Sequence, residues 1–152
     1  MTDDSGGRQG DDLDLGSLLH RSFRRLRRSW VEQLAPWDLT PFQWRALSHV
    51  TQCADGLRLK HLADRLHIAP RSATEVVDQL ETKGLVVRGA DASDRRAVVV
   101  TPTGRGRELA DAIRQERRES SAEYFSVLTA SQQASLADLL TALADAQPDD
   151  SA

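Results

Sequence analysis

Apolar residues recur at helical spacing through most of the chain, and the one place where the period changes marks something else. Leu15, Leu19, Phe23, Leu26, Trp30 and Leu34 lie three or four residues apart. They predict an amphipathic helix that starts near Leu13 and is ended by Pro36. Thr40-Pro41-Phe42-Gln43 then reads as a helix start, with a threonine cap, proline at the first position and a glutamine that can reach back. That helix is expected to run to about Cys53, with Gln43, Ala46, Leu47 and Val50 on one side, and Asp55-Gly56 makes a turn. A short apolar lead-in, Leu57-Arg58-Leu59, precedes a helix over Lys60–Leu66, buried through Leu62, Ala63 and Leu66. His67-Ile68-Ala69 makes the next turn. Ala73, Val76, Val77 and Leu80 then give a stripe at i, i+3, i+4 and i+7, predicting a helix over Pro70–Lys83 that Gly84 stops.

At Leu85 the period falls from about 3.6 to 2. Val86 and Arg88, then Val98 and Val100, alternate along two predicted strands, 85–88 and 97–101, joined by a polar turn from Gly89 to Arg96. Thr101-Pro102 reads as the cap and first residue of a long helix, apolar at Leu109, Ala112, Ile113, Tyr124, Phe125 and Leu128. Its middle, Arg114 to Ser121, is almost wholly polar and is expected to be an exposed connector. Thr129-Ala130-Ser131-Gln132 is a second capping box, opening a last helix with a stripe of Leu136, Leu139, Leu140 and Leu143. Residues 1–12 lack apolar periodicity and read as a disordered tail, and residues 148–152 as another.

Helix, turn, helix and then a hairpin with basic residues at its tip predicts a mainly α fold with a small two- or three-stranded β-wing. This is a winged helix-turn-helix over residues 40–101, a device that puts one helix into the DNA major groove. The remaining helices, 13–35 and 102–147, complete a single domain over 13–147. Their apolar residues, Leu15 and Leu19 at one end and Leu136, Leu139, Leu140 and Leu143 at the other, either pack on each other or pair two copies of the chain. Pairing would set two reading heads about 34 Å apart on one duplex. The helix from Pro70 is about 21 Å long, enough to enter a groove. Arg71 and Ser72 sit in its first turn, where side chains reach base edges and the helix N-terminus favours phosphate. Thr74, Glu75 and Gln79 lie on its outer faces, Arg88 is on the first wing strand, and Arg95 and Arg96 at the tip are suited to phosphate or the minor groove. Asp94 is expected to orient one of these arginines. An ordinary surface hairpin with a charged tip is the plainer alternative.

Charge distribution changes the picture more than net charge does. The chain of 152 residues carries −3 overall. Residues 56–107 hold ten Lys/Arg against six acids, whereas residues 108–152 hold three Arg against nine acids and the first 15 hold five Asp and one Arg. Positive charge is thus concentrated on the expected reading head. There is no stretch of 18 apolar residues to span a membrane. The acidic, Gly-rich start does not resemble a secretory signal, so a cytoplasmic location is expected. The single cysteine, Cys53, forms no intrachain disulfide, and it has no cationic neighbour in local sequence to favour a thiolate. His61 and His67 are six residues apart, which is not a ligand spacing on a helix, so no metal site is expected. No phosphate loop, nucleophile elbow or other catalytic motif is present, and neither an enzyme nor a cofactor is expected.

These residues, in this order, resemble the MarR (multiple antibiotic resistance regulator) family of transcription factors over about residues 13–146. The likeness is carried by Leu39-Thr40-Pro41-Phe42-Gln43-Trp44, Leu62-Ala63-Asp64-Arg65-Leu66 and Arg71-Ser72-Ala73-Thr74. It continues through Leu80-Glu81-Thr82-Lys83-Gly84-Leu85-Val86, Asp91-Ala92-Ser93-Asp94-Arg95-Arg96 and Thr101-Pro102-Thr103-Gly104. The resemblance implies a homodimeric regulator, usually a repressor of its own or a neighbouring gene. Such a protein binds a pseudo-palindromic operator and is often released by a small aromatic or anionic ligand. Two departures stand out. The family has about seven residues from the wing arginines to the threonine opening the next helix, against five here, Ala97 to Thr101 inclusive, which shortens the returning strand. Arg58 also stands where a Ser or Thr cap is usual. A ligand cleft between the dimerisation helices and the reading head would draw on Trp30, Trp37, Trp44, Arg45, His20 and His49, although Trp30 and Trp44 also fit ordinary core positions. Five arginines, Arg21, Arg24, Arg25, Arg27 and Arg28, read as a solvated basic face or a phosphate or effector contact. The reading from a different class is a winged-helix protein-interaction module that binds no DNA.

Overall fold

The computed structural model describes residues 14–91, 93–94 and 96–146. The first 13 residues, Ala92, Arg95 and residues 147–152, which include both expected tails, lie outside the described residues. Asp14 caps the first helix, α1 (Leu15–Glu32), accepting from the N–H groups of Gly16 and Ser17. The helix stops at Glu32, short of Pro36, because the next residues turn: Ala35–Trp37 form a 3-10 turn and Asp38 takes a left-handed conformation at φ 51°. The turn carries Leu34 off the helical stripe into the core, where it is 1% exposed. Thr40 then opens α2 (Pro41–Thr51) with the expected capping box, its Oγ1 accepting the Gln43 N–H while Gln43 Oε1 accepts the Thr40 N–H.

The lead-in to the third helix is a strand, β1 (Leu57–Arg58), followed directly by α3 (Leu59–Leu66). Gly56, at φ +83°, makes the entry: a Cβ there would lie 2.5 Å from the Thr101 methyl. His67, left-handed at φ 53°, closes α3, and α4 (Pro70–Thr82) follows with Ala73, Val76, Val77 and Leu80 buried. Gly84 ends it with φ +69°. The hairpin of β2 (Val86–Ala90) and β3 (Val98–Pro102) takes β1 on its other side, giving an antiparallel sheet of order β1-β3-β2.

β3 runs further than its sequence suggests. Pro102 pairs with Val86, Thr103 donates its N–H to the Leu85 carbonyl at 3.0 Å, and Thr103, not Thr101, caps α5 (Gly104–Phe125). Counted to Thr103, the interval from the wing arginines is seven residues, so the supposed shortening of the wing disappears and the winged helix extends past residue 101. Nor is the polar middle of α5 an exposed connector. Arg114 donates to Thr51, Ser120 meets Ser29 of α1 at 3.0 Å, and Tyr124 reaches the Ser22 carbonyl. Polar side chains there find polar partners, which periodicity cannot register.

Helix α6 (Ala130–Asp145) has the second expected capping box. The core joins Leu34, Leu47, Val50, Leu62, Leu80, Val86, Val100 and Ile113, drawn from α2 to α5, the sheet and the turn before α2. Neither α1 nor α6 buries a residue. Leu15, Leu19, Leu139, Leu140 and Leu143 are all exposed, so in a single chain these two apolar strips do not cover each other.

Candidate nucleic-acid interface

Burial of the Ala73–Val76–Val77–Leu80 stripe fixes which face of α4 looks outward. Arg71 is 91% exposed at the start of that face, 3.4 Å from Glu75 one turn on. This is a loose surface pair that is easily exchanged for a phosphate or base. Ser72 is half-buried. Thr74 is committed locally, its hydroxyl donating to the Pro70 carbonyl at 3.0 Å. Gln79 faces inward as well as outward: its Oε1 accepts from Gln43 Nε2 at 2.8 Å, and Gln43 is itself buried.

Arg88, expected among the DNA-binding residues, is engaged within the chain. Its guanidinium lies 2.5 Å from Asp78 and 3.3 Å from Glu81 and donates to the Thr74 carbonyl at 3.0 Å. Three groups of α4 therefore hold β2, and the side chain clasps wing to recognition helix. Glu81 also accepts the Arg88 N–H.

At the tip, Arg96 is exposed, and Arg95 lies outside the described residues. Asp94 accepts the Arg96 main-chain N–H at 3.0 Å, so it shapes the backbone that presents the arginine. The wider organiser is Asp91. One of its oxygens takes the Ser93 N–H and hydroxyl and the Asp94 N–H, and the other takes Arg58 Nε at 2.8 Å. Hydrogen bonding from Arg58 first, and then from Ser93, holds this carboxyl well below the usual carboxylate range. Asp91-x-Ser93 is a recognisable Asx-turn signal, but Arg58 comes from a distant strand and left no mark in local sequence.

The six residues expected to line a ligand cleft do not form one group. Trp44 is buried and Trp30 half-buried, and between them stands a residue that the sequence did not single out, Arg117 of α5. Its guanidinium carbon is 5.4 Å from the Trp30 ring centre and 4.9 Å from that of Trp44. Trp30 Nε1, Gln33 Oε1 and Arg117 Nε are buried with no hydrogen-bond partner among the described residues, and burial pushes the Arg117 pKa down. Arg45 and His49 belong elsewhere, near Arg65 of α3. Burial, then the charges of Arg65 and Arg45, push the His49 pKa below the ordinary imidazole value. Arg65 also supplies the cationic neighbour that local sequence denied Cys53, with its NH1 3.6 Å from Sγ. His20 and Trp37 are exposed on α1 and the 3-10 turn. A separate hollow of about 370 Å³ is lined by Ala35, Asp38, Leu39, Thr40, Gln43 and Lys83, none of them among the six. The five arginines of α1 are all exposed, without ion-pair partners among the described residues.

Known proteins resemble this chain in sequence and in fold. The MarR family model matches residues 39–98. The HTH-type transcriptional repressor Rv2887 of Mycobacterium tuberculosis is 35% identical over 123 residues, covering 81% of this chain and 88% of the repressor. MdtR, an HTH-type transcriptional repressor of Bacillus subtilis, is 26% identical over 90% of this chain and 88% of its own length. Among solved structures, wild-type MarR from E. coli superposes with TM-score 0.75 at 28% identity, covering 88% of this chain and 98% of that one. Rv2887 in complex with salicylic acid superposes with TM-score 0.66 at 34% identity, covering 88% and 98%.

Proposed function

The chain belongs to the MarR family of winged helix-turn-helix regulators, and we propose that it works as a homodimeric, sequence-specific DNA-binding repressor of its own or a neighbouring gene. The observation that carries this reading is the joint presentation of Arg71 on the outer face of α4 and Arg96 on the wing, with Arg88 clasping the two elements together. Exposed apolar strips on α1 and α6 support a dimer that covers them across a two-fold axis, which would match a pseudo-palindromic operator. One regulatory domain would span 13–147 and act in the cytoplasm, with no catalytic role. The direct test is binding to the duplex upstream of its own coding region at two salt concentrations. Arg71→Ala is expected to cost about 1–3 kcal/mol, differing between sequences if the side chain reads a base. Arg96→Ala is expected to lower the salt slope by roughly one for each phosphate that the arginine neutralises. A chain that binds no duplex is instead a protein-interaction module, and an unchanged slope in Arg96→Ala would remove that arginine from the phosphate contacts.

We further propose that a small anionic aromatic compound releases the DNA by binding beside Arg117. The unpaired donors of Arg117 and Trp30 suit a carboxylate, and the two indole faces suit a ring. The relative Rv2887 has been crystallised with salicylic acid and with p-aminosalicylic acid. Salicylate is expected to quench tryptophan fluorescence in the wild type and not in Arg117→Met, and equal quenching in both would place the ligand elsewhere.

A further inference from the structure

We propose that Arg58 is a positioning residue for DNA binding: it fixes the wing tip to the first helix of the reading head and touches neither base nor phosphate. The argument starts from what Arg58 does not do. It occupies the N-cap of α3, a place for a short side chain that accepts from the helix N–H groups, and it makes no side-chain cap bond. Its guanidinium runs the other way, across the sheet. Nε reaches Asp91 Oδ2 at 2.8 Å and NH2 reaches Ser93 Oγ at 3.0 Å. Pairing of β1 with β3, Arg58 opposite Val99, sets the base of that reach.

Asp91 then passes the restraint along. Its second oxygen gathers the Ser93 N–H, the Ser93 hydroxyl and the Asp94 N–H, and Asp94 in turn holds the Arg96 N–H. A continuous set of hydrogen bonds thus leads from the start of α3 to the arginine at the wing tip. Arg88 ties the root of the wing to α4, whereas Arg58 ties the tip to α3, so both helices of the reading head hold the hairpin. A two-stranded hairpin is marginal alone, and each tip arginine brings a phosphate contact only if its backbone is already in place. The inference rests on the wing's contacting DNA.

The test uses the full chain and the duplex upstream of its own coding region. Arg58→Thr supplies a normal helix cap, so the fold should hold while the tie is removed. Amide exchange at Ser93, Asp94 and Arg96 in the DNA-free protein is expected to rise at least tenfold, and DNA affinity to fall about tenfold with a smaller salt slope. Removing Arg58 also leaves Asp91 uncompensated near phosphate, so Arg58→Thr/Asp91→Asn separates the two causes. If charge alone matters, this double variant regains wild-type affinity and the positioning role is overturned. If positioning matters, it stays weak. In an Asp91→Asn/Arg95→Ala/Arg96→Ala background, which removes the Asp91 charge as well, Arg58→Thr is expected to cost nothing further, and a full additive loss would make Arg58 a DNA contact in its own right. Should Arg95→Ala/Arg96→Ala bind like the wild type, the wing's DNA role is what fails. The exchange rates would still decide whether Arg58 orders the tip.

Discussion

A single methyl group on Gly106 tests how the long helix is joined to the wing. Gly106 is buried in the first turn of α5, against the backbone where β2 begins. A Cβ built there would lie 2.0 Å from the Leu85 carbonyl oxygen and 2.9 Å from its carbon. Neither atom can swing aside as a side chain could, and that carbonyl accepts the Thr103 N–H at 3.0 Å. On helix propensity alone, Gly→Ala should stabilise by up to about 1 kcal/mol. Overpacking costs ~1–3 kcal/mol, and disturbing the Thr103 hydrogen bond adds about 1 kcal/mol. Gly106→Ala should therefore be destabilised by about 1–3 kcal/mol in spite of its better propensity. Gly104, two residues earlier, has nothing within 4 Å of its built Cβ, and Gly104→Ala should be neutral or stabilised by up to about 1 kcal/mol. Urea denaturation followed by far-UV circular dichroism measures both, at one fixed protein concentration, since dimerisation would couple to unfolding. Each kcal/mol should move Tm by about 2–4 °C in a chain of this size. A Gly106→Ala protein as stable as Gly104→Ala would refute the close approach of α5 to Leu85.

Thr103→Ala should lose about 1–2 kcal/mol, because Oγ1 both accepts the Gly106 N–H and donates to the Gly84 carbonyl; Thr101→Ala should lose less, and the reverse order in urea melts would restore Thr101 as the cap. Arg88→Ala should cost about 1–2 kcal/mol by removing two ion pairs and a hydrogen bond to a carbonyl, all partly open to solvent, and unchanged stability would mean that the clasp is decorative. Leu140→Asp together with Leu143→Asp should yield a monomer in sedimentation velocity, whereas a persistent dimer would remove α6 from the interface. His49 has its folded-state pKa lowered, so its neutral form stabilises the protein above about 6.5, and that contribution should be lost progressively as pH falls below it. His49→Gln should flatten the pH dependence of urea midpoints between pH 7.5 and 5, and an equally steep dependence in the variant would assign it to other groups.

Local chemistry alone determined a large part of this molecule. Both capping boxes, the stop at Gly84, the buried stripe of α4 and the change to strand period at Leu85 are short-range effects, complete within a few residues, and each is found where the sequence implies it. The outward position of Arg71 follows from that stripe and was legible for the same reason. What only the tertiary structure decided are contacts between residues far apart in the chain. Two adjacent threonine motifs compete to open α5, and Thr103 wins because β2 holds β3 as far as Pro102. Local sequence cannot weigh that pairing. Arginine is the clearest case, since its long side chain carries the same charge whatever it meets. Arg71 is left open, Arg88 is drawn into a carboxylate clasp, Arg58 is turned from cap to wing tie, and Arg117 is slotted between two tryptophans. The partners that separate these four fates come from other elements, and packing alone brings them within reach.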